Sequence, residues 1–151
     1  MLAADPYARL PDPEFQAEFY QGTALKRGVA WVIDTALVAL LTAIAVPFTA
    51  FLALFFLPAL FLALNFLYRW ATLSTRSATW GMRLTAVEFR RLDGGRFDPG
   101  TAFLHTLGYT LSWIVPVVQL VSVAFMLASP RGQGLSDLVL GTVAINKPGR
   151  V

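Results

Sequence analysis

One stretch limits what this chain can become. Residues 28–68 read GVAWVIDTALVALLTAIAVPFTAFLALFFLPALFLALNFLY and carry a single formal charge, Asp34. A membrane-spanning helix needs about 20 consecutive apolar residues, so this run is long enough for two. Pro47, near its middle, is the natural point for a tight turn between them. The pattern predicts one helix over about 28–46 and a second over about 48–68, with Pro58 kinking the second from inside. The competing reading is a buried hairpin of a soluble protein, but soluble cores seldom supply an apolar run of this length.

Composition points the same way. The 151 residues are 56% hydrophobic and only 14% charged, where a soluble domain has about 25% charged residues. The net charge of +3 could suggest nucleic acid, but the positions of the basic residues follow membrane topology instead. With no cysteine, the chain has no disulfide framework, zinc–thiolate cluster or thiol chemistry. The opening MLAADPYARLPDPEFQAEFY is acidic and proline-bearing. It lacks the basic-then-apolar order of a signal peptide. The expected organisation is a leader over 1–24, a transmembrane domain over 25–146 and a tail over 147–151. Within the leader, PEFQAEFYQG either makes a short surface helix, with Phe15, Phe19 and Tyr20 at headgroup level, or stays unstructured.

Lys26 and Arg27 precede the first apolar helix, the turn near Pro47 is uncharged, and Arg69, Arg76, Arg83, Arg90, Arg91 and Arg96 follow the second. This positive-inside pattern places the amino terminus and the middle loop in the cytoplasm. In that loop, STRSATWG suits a cap and a turn, MRLTAVEF (82–89) a short strand and LDGG (92–95) a turn. A second apolar block over 101–129 has no formal charge and is interrupted by Pro116. It is either one long kinked crossing or two half-helices that meet near 116 and return. Arg131, Lys147 and Arg150 beyond it favour the return, with both termini cytoplasmic. Half-helices are tolerated in a bilayer where protein or water covers their free backbone groups. In the tail, LSDLVL reads as a short helical turn and GTVAIN as a strand able to pair with LTAVEF. The expected fold is therefore an all-α membrane protein. It has two full transmembrane helices, a proline-broken third segment and a small cytoplasmic β element.

Asp34 is the sharpest functional signal, since a carboxylate within an apolar helix must face protein or water. It is a cation or proton site, the counter-ion of a basic partner, or a buried salt bridge or capped polar contact that fixes helix packing. Arg27 lies seven residues earlier on roughly the same face, about 10 Å away. It either snorkels to lipid phosphates or reaches a carboxylate, for which Asp137 is a candidate. Ser136, before it, is a cap-type residue. His105, alone in an apolar helix, reads first as a hydrogen-bonded packing residue, and Gln119 is a further polar candidate.

Arg27 at the foot of the first helix, Asp34 within it and Asp137 in GLSDLVLGTVAI together resemble the RDD family of small membrane proteins. That family is named for such an arginine and two aspartates. SATWGMRLTAVEF resembles its segment after the second helix through Gly81 and Arg83, and Gly141 and Thr142 stand at the matching place in the tail. The resemblance runs over roughly 25–146. It departs where Ser136 replaces a frequent histidine before the second aspartate, and where only His105 stands near the start of the last apolar block in place of a basic residue. The resemblance implies transport of a cation, a proton or an unknown small ligand. An accessory or assembly subunit of a larger membrane complex is the alternative.

No metalloprotease, hydrolase or phosphate-loop motif is present, so no enzyme activity, catalytic residue, metal or cofactor is expected. Expected partners are the lipid bilayer, anionic lipids at the cytoplasmic face, and a second copy or another membrane protein, not nucleic acid. The expected location is the cell membrane, as a multi-pass protein of the inner membrane in a two-membrane cell.

Overall fold

The structure is a computed structural model that describes residues 5–147. Its first helix, α1 (Thr23–Phe48), is 26 residues long, or about 39 Å at the helical rise. That exceeds the roughly 30 Å of a bilayer's hydrocarbon core. Its buried positions Ala30, Asp34, Val38, Thr42 and Val46 recur every four residues. This makes one stripe of small or polar side chains that faces the rest of the protein. The remaining surface of α1 is apolar and exposed, including Val32, Leu40 and Ile44.

The second helix differs from its expected span. Pro47 lies inside the last turn of α1. The chain then turns through Ala50 and Phe51, both with positive φ, and a short 3-10 stretch over Leu52–Phe56. α2 runs Leu57–Arg76, with Pro58 in its first turn rather than within it as a kink. Proline is suited to that place because the first helical N–H groups have no acceptor and the ring presets φ. At the other end the helix continues past Tyr68 to a left-handed Ser77. Buried Leu73 packs that last part into the core. Arg69 and Arg76 are thus helical, not loop, residues.

Thr79 caps the five-residue α3 (Trp80–Leu84) by accepting from the Met82 amide at 3.2 Å. Strand β1 is Val87–Arg91, later and shorter than MRLTAVEF suggests, because Trp80–Leu84 is helical and Ala86 has positive φ. The turn over 92–95 is present, with Gly94 at φ +78 and its amide bonded to the Arg91 carbonyl. α4 (Pro99–Ile114) starts from Asp98, whose carboxylate accepts from the Thr101 amide at 2.8 Å.

α5 (Pro116–Ala128) follows directly after Val115. The two helices, of 16 and 13 residues, are about 24 and 20 Å long, so neither spans a bilayer alone. The chain bends by 119° between them. α6 (Leu135–Leu140) and β2 (Thr142–Asn146) complete the fold. β2 pairs antiparallel with β1 in the register Phe89↔Ala144. The α4–α5 pair therefore begins and ends beside the same two-stranded sheet. α1 and α2 are long and apolar enough to cross a membrane, and the bent pair can count as a third, broken span.

Two clusters of buried side chains lie around the sheet. Leu73, Met82, Val87, Phe89, Phe97 and Ala144 fill one, between the helix ends and the sheet. In the other, Leu10 and Tyr20 of the leader pack on Val143 and Ile145. Asn146 fastens this arrangement by donating to the Glu18 and Gln21 carbonyls and accepting from Lys26 at 2.7 Å. Within the described part of the leader, Ala17–Phe19 forms a short 3-10 helix.

Candidate functional site

Two knots of polar residues lie inside this apolar fold. The first is centred on Asp34, which is 4% exposed. Its Oδ1 accepts from the Tyr68 hydroxyl at 2.6 Å and the Gly81 amide at 2.8 Å, and its Oδ2 from the Thr79 hydroxyl at 2.6 Å. These donors come from α2, from α3 and from the cap between them. Tyr68 also accepts from the Trp80 amide at 3.0 Å. Hydroxyls and a backbone amide, not Arg27 or another basic group, thus serve Asp34. Gly81 is required by space, since a Cβ there would lie 2.2 Å from the Ala30 carbonyl oxygen.

The second knot is centred on Asp137, which has no exposed surface. Its carboxylate accepts from Arg27 at 2.6 Å, His105 Nε2 at 2.8 Å, the Thr142 hydroxyl at 2.9 Å and the Gly134 amide at 3.0 Å. Burial disfavours its charged form. Arg27 and then His105 outweigh that and hold the carboxyl well below the usual carboxylate range. An ionised Asp137 only accepts, so the proton on His105 is assigned to Nε2. The other ring nitrogen, Nδ1, is buried without a partner among the described residues, and the ring packs against Phe89 and Phe97. Arg27 also donates to the Gly132 carbonyl at 3.1 Å and lies over the Phe89 ring.

Both knots border one cavity of about 480 Å³, which Arg27, Asp34, Arg69, His105, Gln119 and Asp137 help to line. Volumes of roughly 300–1,000 Å³ are typical of small-molecule sites. Across the helix bend, Ser112 Oγ and Gln119 Oε1 lie 2.7 Å apart. Ser136 borders the cavity where α6 approaches Gly108 so closely that a Cβ on Gly108 would come within 2.8 Å of its hydroxyl. Thr142 belongs to the Asp137 knot. Gly141 ends α6 at φ +63, where a Cβ would meet Leu92. Arg83 stands apart from the cavity and stacks on Trp80.

Sequence reasoning passed over Tyr68, Thr79 and Arg69. The first two were legible only as hydroxyls able to satisfy a buried carboxylate. Arg69 looked like one more arginine beyond an apolar helix, yet it is 7% exposed and lies over the Tyr109 ring at 3.9 Å.

No curated protein and no solved structure matches the chain. The sequence profile of the RDD family matches residues 22–141 of the 151. That range holds Arg27 and the two knot centres, Asp34 and Asp137, and the chain belongs to the RDD family.

Proposed function

We propose that this protein moves a cation, a proton or another small solute across the membrane through the cavity between α1, α2 and the α4–α5 pair. One observation carries this reading: two carboxylates, two arginines and a histidine converge on a single cavity in an otherwise apolar fold. Ionisable groups at membrane depth are costly and tend to mark ion or proton pathways. His105 adds a specific role, because its Nδ1, without a partner among the described residues, is a proton acceptor whose opposite nitrogen is held by Asp137. The protein in this reading binds and passes its cargo without catalysing a reaction.

Both termini are assigned to the cytoplasm. The basic residues gather at one end of the helices, and the bent pair starts and finishes at the same sheet. Two spans and a bent pair enclose little by themselves, so the transporting unit is proposed to be an oligomer.

A second reading is an accessory or assembly subunit. It is favoured by Asp34, whose three donors join α1, α2 and α3 in a purely structural way. Proteoliposomes bearing the unmodified protein, Asp34→Asn or His105→Gln separate the two readings. Transport predicts flux under a cation or proton gradient that falls in folded His105→Gln. Absence of flux under every gradient, together with a stable complex containing a second membrane protein in mild detergent, selects the accessory role.

A further inference from the structure

Of the described charged side chains bordering the cavity, Arg69 alone makes neither an ion pair nor a hydrogen bond. Arg27 is matched by Asp137, and Asp34 is met by three donors. Among the described residues Arg69 enters none of the ion pairs, and its buried Nε has no acceptor. Tyr109 supplies only a ring face. A guanidinium cannot escape by losing its proton, and it offers five donors in a fork that fits a carboxylate or a phosphate. A buried charge of this kind is costly until an anion joins it.

The rest of the wall has a different character. Trp31 and Trp113 stack at 5.3 Å, and Leu120, Val123 and Leu127 continue the lining. These last three are exposed apolar positions of α5, a surface suited to acyl chains. Beside the Arg27–Asp137 pair and Asp34, the cavity thus holds an unpaired guanidinium, and its wall along α5 is apolar.

We infer that the cavity binds an anionic amphiphile. Its carboxylate or phosphate sits on Arg69, and its hydrocarbon chain lies along Leu120, Val123 and Leu127. This chemistry has two sources, a free fatty acid and an anionic phospholipid of the bilayer. The inference concerns binding alone and stands whether or not anything is transported.

Photo-cross-linking to the purified full chain in detergent tests it. The probes are diazirine-bearing palmitic acid, the corresponding alcohol and diazirine-bearing phosphatidylglycerol, and labelled peptides are identified by mass spectrometry. The expected result is labelling within α4–α5 by the acid, the phosphatidylglycerol or both, and little by the alcohol. Arg69→Gln should reduce it by about tenfold or more, as loss of a charge-assisted pair implies, and Arg69→Lys should restore part. Labelling by the acid alone assigns a free fatty acid, and labelling by the phospholipid assigns a bilayer lipid. Equal labelling by acid and alcohol, or unchanged labelling of Arg69→Gln, overturns the inference. Should Arg69→Gln not fold, Val123→Trp keeps the arginine and obstructs the apolar end. Loss of labelling then supports the site, and undiminished labelling overturns it.

Discussion

The Gly81 amide donates to Asp34 at 2.8 Å, and the missing side chain of Gly81 is what permits that approach. A Cβ at this position would stand 2.2 Å from the Ala30 carbonyl oxygen and 2.9 Å from Asp34 Oδ1. The two residues are 47 positions apart, so one glycine fixes where α3 meets α1.

Gly81→Ala should therefore push α3 off α1 and destabilise the protein by about 1–3 kcal/mol, the usual range for overpacking. Gly28→Ala is the control. Gly28 lies in α1, and a Cβ added there would meet no atom within 4 Å, so the change should be neutral or slightly stabilising through helix propensity. Thermal unfolding in detergent compares them, and an equal effect of the two changes would contradict the tight approach.

Asp137→Asn should cost more. It leaves the mostly buried Arg27 beside a neutral group, and breaking a buried pair from one side costs on the order of 3–5 kcal/mol. Arg27→Met should be similarly harmful. The double variant should be less damaging than the two single effects added together. Strict additivity in a double-mutant cycle would mean that the contact contributes no coupling.

Asp98 provides a pH test outside the helical spans. The Thr101 amide and hydroxyl, aided by Arg91, hold its carboxyl down to about 2, against an ordinary value near 4. Because the folded value is depressed, its stabilisation of the start of α4 is fully present above about pH 4. It is lost as pH falls through about 2. Asp98→Asn should cap α4 nearly as well at pH 7 while removing this dependence, and Asp98→Ala should cost about 1 kcal/mol. Amide exchange at Thr101 across that pH range is the measurement, and a pH response that persists in Asp98→Asn would assign it to another group.

The proposed topology is checked by single cysteines in a chain that has none of its own. A cysteine replacing Lys147 and one replacing Arg96 should both react with a membrane-impermeant thiol reagent only after sealed cells are opened. A cysteine replacing Thr49, in the turn after α1, should react from outside. Labelling at position 147 in sealed cells would instead make the α4–α5 pair a true crossing.

Much of the fold was legible because membrane segments announce themselves by length and by freedom from charge. Pro116 marked the bend for the same reason that Pro58 misled. Proline interrupts a helix interior but is welcome in its first turn, and sequence alone does not say which of the two a given proline occupies. α2 starts at Leu57 because the chain first spends Thr49–Phe56 on a left-handed turn and a 3-10 stretch. The apolar composition of that segment hid this from view.

The site was read unevenly for a related reason. Arg27 and Asp137 carry opposite charges next to apolar runs, so their pairing could be entertained from sequence. The donors to Asp34 carry no charge: two are hydroxyls and one is a main-chain amide. Nothing in their spacing points at a residue 34 to 47 positions earlier. Arg69 was hidden by its company, since the rule that explains arginines beyond a helix end by topology makes each of them look alike.

The partners of Lys26 and Arg27 lie 120 and 110 positions downstream, and this has a consequence in time. A ribosome delivers the chain from its amino end, so α1 enters the membrane before Asp137 or Asn146 has been made. During that interval both cations are without these partners, the condition in which basic residues bias the orientation of a helix. Once the tail emerges, the same two residues are captured by Asn146 and Asp137. A nascent chain halted before Asp137 keeps its first span but leaves Arg27 uncovered. That bare guanidinium is a chemical mark by which an unfinished molecule differs from a finished one.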